Sequence, residues 1–175
     1  LHRRRHSFPT RRSSDLGKTE QAVVYDPIRD ELFTATRGSG AQLNGYRIRV
    51  GKAKELSGTI LATGFPFKQK HHIEPYLKMF QSMFIECADI RRAGSAALDL
   101  AYVAAGRVDG FWEIGLKPWD TAAGELLAKE AGAIVTDFVG GHNYENSGNI
   151  VVANPRVLKE MLGKIRENLP ESLAK

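Results

Sequence analysis

From residue 59 onward the chain alternates two kinds of segment, and this alternation constrains its fold more than any other feature. Short apolar, β-branched runs fall near residues 59–63, 88–91, 108–113, 133–137 and 149–153. Between them, apolar side chains recur at i, i+3, i+4 spacing, the mark of a helix that buries one face. The first such stretch places Ile73, Tyr76, Leu77, Phe80 and Phe84 on one side. The second follows Gly94-Ser95 with Leu98, Ala101, Tyr102 and Ala105, and stops at Gly106. The third follows Asp120 with Ala123, Leu126, Leu127 and Ala131, and Gly132 stands where a left-handed C-terminal residue belongs. The fourth opens on Asn154-Pro155, a cap followed by a first-turn proline, and buries Leu158, Met161, Leu162 and Ile165. Such alternation predicts a layered α/β domain. Ahead of it, residues 21–26 and 31–36 read as an antiparallel hairpin, followed by turns at Gly38-Ser39-Gly40 and Asn44-Gly45 and a strand over 46–50.

The formal charge of +5 suggests a nucleic-acid partner until it is located. Residues 1–16 hold Arg3, Arg4, Arg5, Arg11 and Arg12 against Asp15 alone, so the remaining 159 residues carry 20 basic and 19 acidic side chains. The basicity belongs to this leader, which has neither an amphipathic period nor the apolar core of a signal peptide. It reads as foreign or disordered and is set aside from the fold; a basic nucleic-acid arm is the competing reading, and direct nucleic-acid binding by the rest of the chain is not expected. Cys87 is the sole cysteine, which excludes an intrachain disulfide and a cysteine zinc site, and its place near the end of an apolar helix predicts a buried thiol. No stretch approaches the roughly 20 apolar residues of a membrane span, so the protein is expected to be soluble and cytoplasmic.

The residues that can carry chemistry cluster between Arg91 and Asp120. Asp120 follows Pro118 just ahead of a helix, where a carboxylate either caps free N–H groups or offers an oxygen to a cation. Glu113 closes a strand and is either a solvated acid or a group for substrate hydroxyls. Gly94, Ser95 and Ala96 open a helix with small residues, as a plain cap or as a place where a ligand can approach backbone N–H groups. Arg91 sits just before that loop, with Arg92 alternating to the other side of the strand. His71, His72 and His142 have no second ligand at metal spacing and read as surface or structural residues, and Trp112 and Trp119 as packing residues that flank the site.

The string Trp119-Asp120-Thr121-Ala122-Ala123-Gly124, continuing to Glu130-Ala131-Gly132, resembles the C-terminal signature of the inositol monophosphatase family of Mg²⁺-dependent phosphomonoesterases. Further matching segments, in family order, are residues 23–27, 38–45, 64–66 and 91–102. Residues 104–110 and 140–144 resemble the bacterial SuhB-type branch. The resemblance covers residues 17–175 and implies the C-terminal portion of an αβαβα sandwich. It implies that Asp120 binds a catalytic Mg²⁺ and also touches substrate, that Glu113 bonds a substrate hydroxyl, that Gly94, Ser95 and Ala96 contact the substrate, and that Arg91 meets substrate or a partner subunit. Family members are commonly homodimers, and SuhB-type members are linked to ribosomal RNA transcription through RNA polymerase and an elongation factor.

Asp26-Pro27-Ile28-Arg29-Asp30 is a decoy for the family's principal metal motif, Asp-Pro-Ile/Leu-Asp-Gly-Thr. An Arg is inserted, no Gly-Thr follows, and the segment matches a later hairpin turn instead; no metal role is given to Asp26 or Asp30. The principal motif and the family's upstream glutamates are absent from these 175 residues. One carboxylate holds Mg²⁺ poorly. The expectation is therefore hydrolysis of an inositol monophosphate, or a related polyol or sugar phosphate, by the intact parent, with residues 17–175 inactive alone. The alternative is a non-catalytic interaction protein acting in ribosomal RNA transcription antitermination.

Overall fold

The structure, a computed structural model, describes residues 10–15 and 18–174. The chain opens with five antiparallel strands in sequence order: β1 (Thr10–Asp15), β2 (Lys18–Asp26), β3 (Glu31–Thr36), β4 (Gly40–Leu43) and β5 (Tyr46–Ile48). Thr10–Asp15, inside the leader that composition sets apart, thus pairs with β2 as an edge strand; residues 1–9 and 16 of that leader lie outside the described residues. The β2–β3 hairpin closes over Pro27–Asp30, as the sequence predicts. The Asp26 carboxylate accepts the N–H groups of Ile28 and Arg29, so the decoy acid is a turn-former.

There follow β6 (Ile60–Thr63), α1 (Ile73–Phe84), β7 (Asp89–Arg91), α2 (Ala96–Ala104), β8 (Gly110–Glu113), α3 (Pro118–Ala131), β9 (Ile134–Thr136), the short α4 (Tyr144–Ser147), β10 (Ile150–Ala153) and α5 (Pro155–Glu167). The second sheet has the order β7-β6-β8-β10-β9, with β6 parallel to β7 and β8 and with β10 antiparallel to both its neighbours. Its central strands β6, β8 and β10 are buried on both sides, which is why they read as continuous apolar runs. One face packs on α1 and α5 through Leu61, Tyr76, Trp112, Val151 and Met161. The other packs on α2 and α3 through Ala62, Leu100, Phe111, Ala128 and Val152. The opposite side of α2 and α3 receives Val24, Phe33 and Ala35 of the first sheet. The layers run α1/α5, second sheet, α2/α3, first sheet: an α/β sandwich.

Two helices differ from expectation. In α1 the buried stripe is Tyr76, Met79 and Met83, while Ile73, Leu77 and Phe84 are exposed. The apolar surface of this helix is wider than one packed face, and the flexible methionines fill the core side. In α3 the first helical residue is Pro118, so Lys117 is the cap and Asp120 lies in the third helical position. Cys87 is half-buried, its thiol donating to the Asp89 carbonyl at 3.6 Å.

Candidate active site

Three loops on one edge of the second sheet enclose a cavity of about 510 Å³. Gly64 to Lys68 leave the end of β6, Arg92 to Ala96 lead into α2, and Glu113 to Asp120 join β8 to α3. This is the carboxyl end of the three parallel strands β6, β7 and β8, where α/β sheets open a crevice.

Strand alternation sets the floor. Phe111 packs in the α2/α3 core and Trp112 in the α1/α5 core, so Glu113 returns to the α2 side. Its backbone is fixed opposite Ile150 in β10. Its carboxyl lies so close to Gly64 that a Cβ there would fall 2.2–2.4 Å from the carboxyl atoms. Behind it, the Thr63 hydroxyl donates to the Trp112 carbonyl at 2.9 Å and lies 3.2 Å from the Tyr76 hydroxyl. Asp99, in the first turn of α2, lines the same cavity although it is only 3% exposed. It stands three residues after Ala96 and four before Val103, both packed toward the second sheet. Asp120 uses Oδ2 to accept the Lys117 N–H at 3.0 Å.

Burial governs the acids. Glu113 is pushed up to about 8, first by burial and then by the negative charges of Asp99 and Asp120, with Arg92 and Lys68 opposing. Asp99 is pushed up to about 7 by burial, against the pull of Arg92. At neutral pH the floor thus holds carboxyl groups that can donate as well as accept hydrogen bonds. Phe65, Phe67 and Trp119 form an apolar rim; Arg92 lies over the Phe65 ring, 5.7 Å from its centroid.

Of the residues singled out in the sequence, Gly94, Ser95, Ala96, Glu113 and Asp120 come together around this cavity. Arg91 does not line it: its guanidinium pairs with Asp89 at 2.7 Å on the exposed side, and Arg92 takes the inward place. Trp112 is fully buried, whereas Trp119 is 69% exposed at the rim. Sequence reasoning missed Asp99. The available signal was an acid inside an otherwise small and apolar helix, since Ala97, Leu98, Leu100, Ala101, Val103 and Ala104 are all buried.

The donor set fits one ligand of a divalent cation. Among the described residues no group of three or more His, Cys, Asp or Glu side chains is arranged to hold a metal. Asp120 can supply one hard oxygen, and Mg²⁺ needs several.

A family model described as the inositol monophosphatase family matches residues 15–171. Nus factor SuhB of Salmonella typhimurium is 68% identical over 157 residues, covering 90% of this chain and 59% of that protein. Among solved structures, the suhB extragenic suppressor protein of Bartonella henselae superposes with a TM-score of 0.85 at 44% identity, covering 88% of this chain and 59% of that one. The inositol monophosphatase of Anabaena gives 0.82 at 38% identity, covering 89% and 62%. The chain therefore spans under two thirds of the length of these relatives, and with a family match over nearly all of it, it belongs to the inositol monophosphatase family.

Proposed function

We propose that this chain forms the polyol-recognition wall, and one metal ligand, of a Mg²⁺-dependent phosphatase acting on an inositol monophosphate or a related polyol phosphate. The observation that carries the reading is the convergence of Glu113, Asp120 and the Gly94–Ala96 helix start on one cavity. Glu113, held with its proton near neutral pH, can accept from and donate to ring hydroxyls and so fix the ring. The small side chains at 94–96 let substrate oxygens approach the positive end of α2. Arg92 and Lys68 give the cavity the positive charge that a phosphate ester requires. Asp120 would hold the cation, which when bound polarises the phosphoryl group and acidifies water. Arg92 lines the cavity while Arg91 pairs with Asp89, so this reading assigns the substrate contact to Arg92 rather than Arg91.

The test is a hybrid in which residues 17–175 replace the matching segment of the full-length Salmonella relative. With Mg²⁺ it should release phosphate from inositol 1-phosphate, and Asp120→Asn should cost orders of magnitude in rate. Near-wild-type turnover by that variant would reject the assignment. Residues 17–175 alone should release no phosphate above a blank.

A second reading is supported by the 68% identity to proteins named Nus factor SuhB: contact with the transcription machinery in the bacterial cytoplasm. RNA polymerase retained by the hybrid in a pull-down, and still retained after Asp120→Asn, would favour that role as separate from catalysis.

A further inference from the structure

We propose that Asp99 is a specificity-determining residue of the cavity, a second carboxyl that takes the ring hydroxyl next to the one taken by Glu113. The proposal rests on the polyol reading above and extends it to a residue on a different element.

Three observations place Asp99 in that role. First, the side chain is 3% exposed and yet lines the cavity, so what little of it is accessible faces the ligand space. Second, among the described residues no donor bonds its carboxyl and no cation pairs with it; the nearby Arg92 acts on it only through charge. Its oxygens are not among the buried polar atoms that lack a partner, so the carboxyl opens to the cavity and is free to bond whatever enters it. Third, Asp99, Glu113 and Asp120 line one cavity without coming together as a metal-holding group. Glu113 feels the negative charge of both other acids and shares the cavity with them.

The chemical class follows from the pair. Two buried acids facing one space, with Arg92 and Lys68 already supplying positive charge, are suited to neutral donors rather than to a second cation. Adjacent hydroxyls on a ring present two donor–acceptor groups side by side, and two carboxyls can take one each. A ligand with a single hydroxyl can satisfy only one of them. Selectivity for polyols over simple alcohols is therefore built into the floor, because the unmet carboxyl would stay buried and unpaired.

The test is ligand binding by the 175-residue chain, followed by saturation-transfer NMR with myo-inositol and with cyclohexanol, alongside melting temperatures. Wild type should bind myo-inositol and not cyclohexanol. Asp99→Ala should weaken myo-inositol by about tenfold or more. Asp99→Asn, which keeps the shape and one acceptor oxygen, should weaken it by about threefold. Both variants should melt at or above the wild-type temperature near neutral pH, since a carboxyl whose charged form burial disfavours has been removed. Unchanged myo-inositol affinity in both variants would overturn the proposal while leaving the polyol reading intact. So would a lowered melting temperature with binding retained by Asp99→Asn, which would mark Asp99 as structural. Failure of wild type to bind myo-inositol would sink the polyol reading, and this proposal with it.

Discussion

The starts of α2 and α5 are the same kind of object put to opposite uses. At α5, Asn154 is 7% exposed and has both polar atoms of its side chain engaged: Oδ1 accepts the N–H groups of Arg156 and Val157, and Nδ2 donates to the carbonyls of Gly51 and Ala53. Pro155 removes a further donor that would need a partner. At α2, Ser95 has the extended backbone of a cap but makes no capping hydrogen bond, and the first turn borders the cavity. One helix start is closed by the protein. The other is left open, with a buried acid one turn in. The difference teaches that a helix start closed by its own cap needs nothing from outside, whereas one left uncapped beside a cavity can be completed by what enters it.

Four measurements would break or sharpen that contrast. The largest effect belongs to Asp99→Asn. Because the folded carboxyl titrates near 7 and an unfolded one near 3.8, the wild-type fold binds this proton more tightly and loses stability as pH rises between those values. The variant should match wild type below about pH 4 and exceed it by on the order of 4 kcal/mol well above pH 7, read from urea unfolding across pH. A constant difference at all pH values would contradict a buried, unpaired Asp99. Next is Gly124→Ala, where a Cβ would lie 2.5 Å from the Leu100 Cβ and push α3 off α2. It should cost about 2 kcal/mol by overpacking, and a neutral result would mean that the cavity-bearing helix is loosely held. Asn154→Ala should cost about 1–2 kcal/mol with ligand affinity unchanged. The smallest is Ser95→Ala, expected within roughly 0.5 kcal/mol in stability because no cap bond is lost. A loss at Ser95 equal to that at Asn154 would erase the contrast.

What was legible in the sequence was local. The hairpin over residues 27–30, the Asn154-Pro155 cap and the Gly132 stop are set by near neighbours, and each stands where its residues place it. The family string around Asp120 led to the right junction, yet the local reading put Asp120 at the cap; Pro118 takes the first helical position, and the acid bonds the Lys117 N–H from two residues further in. Periodicity named an apolar face for α1 but could not say which part of a wide stripe meets the core. Alternation separated Arg91 from Arg92, but which of them faces the cavity depends on the loops of β6 and β8, far away in the chain. Asp99 was passed over for the same reason. An acid on a helix reads as solvated until the sheet beneath it is known.

The order of the second sheet also bears on how the molecule is made. Its central strands, β6, β8 and β10, come from residues 60–63, 110–113 and 150–153, and Glu113 is held in register by Ile150. Pairings between such distant stretches form slowly, because long loops must close before any contact rewards them. The carboxyl floor depends on these long-range pairings rather than on local hairpins and helices. During synthesis the acids that cost the fold stability therefore meet only after most of the chain has emerged, when the two apolar cores are ready to hold them together.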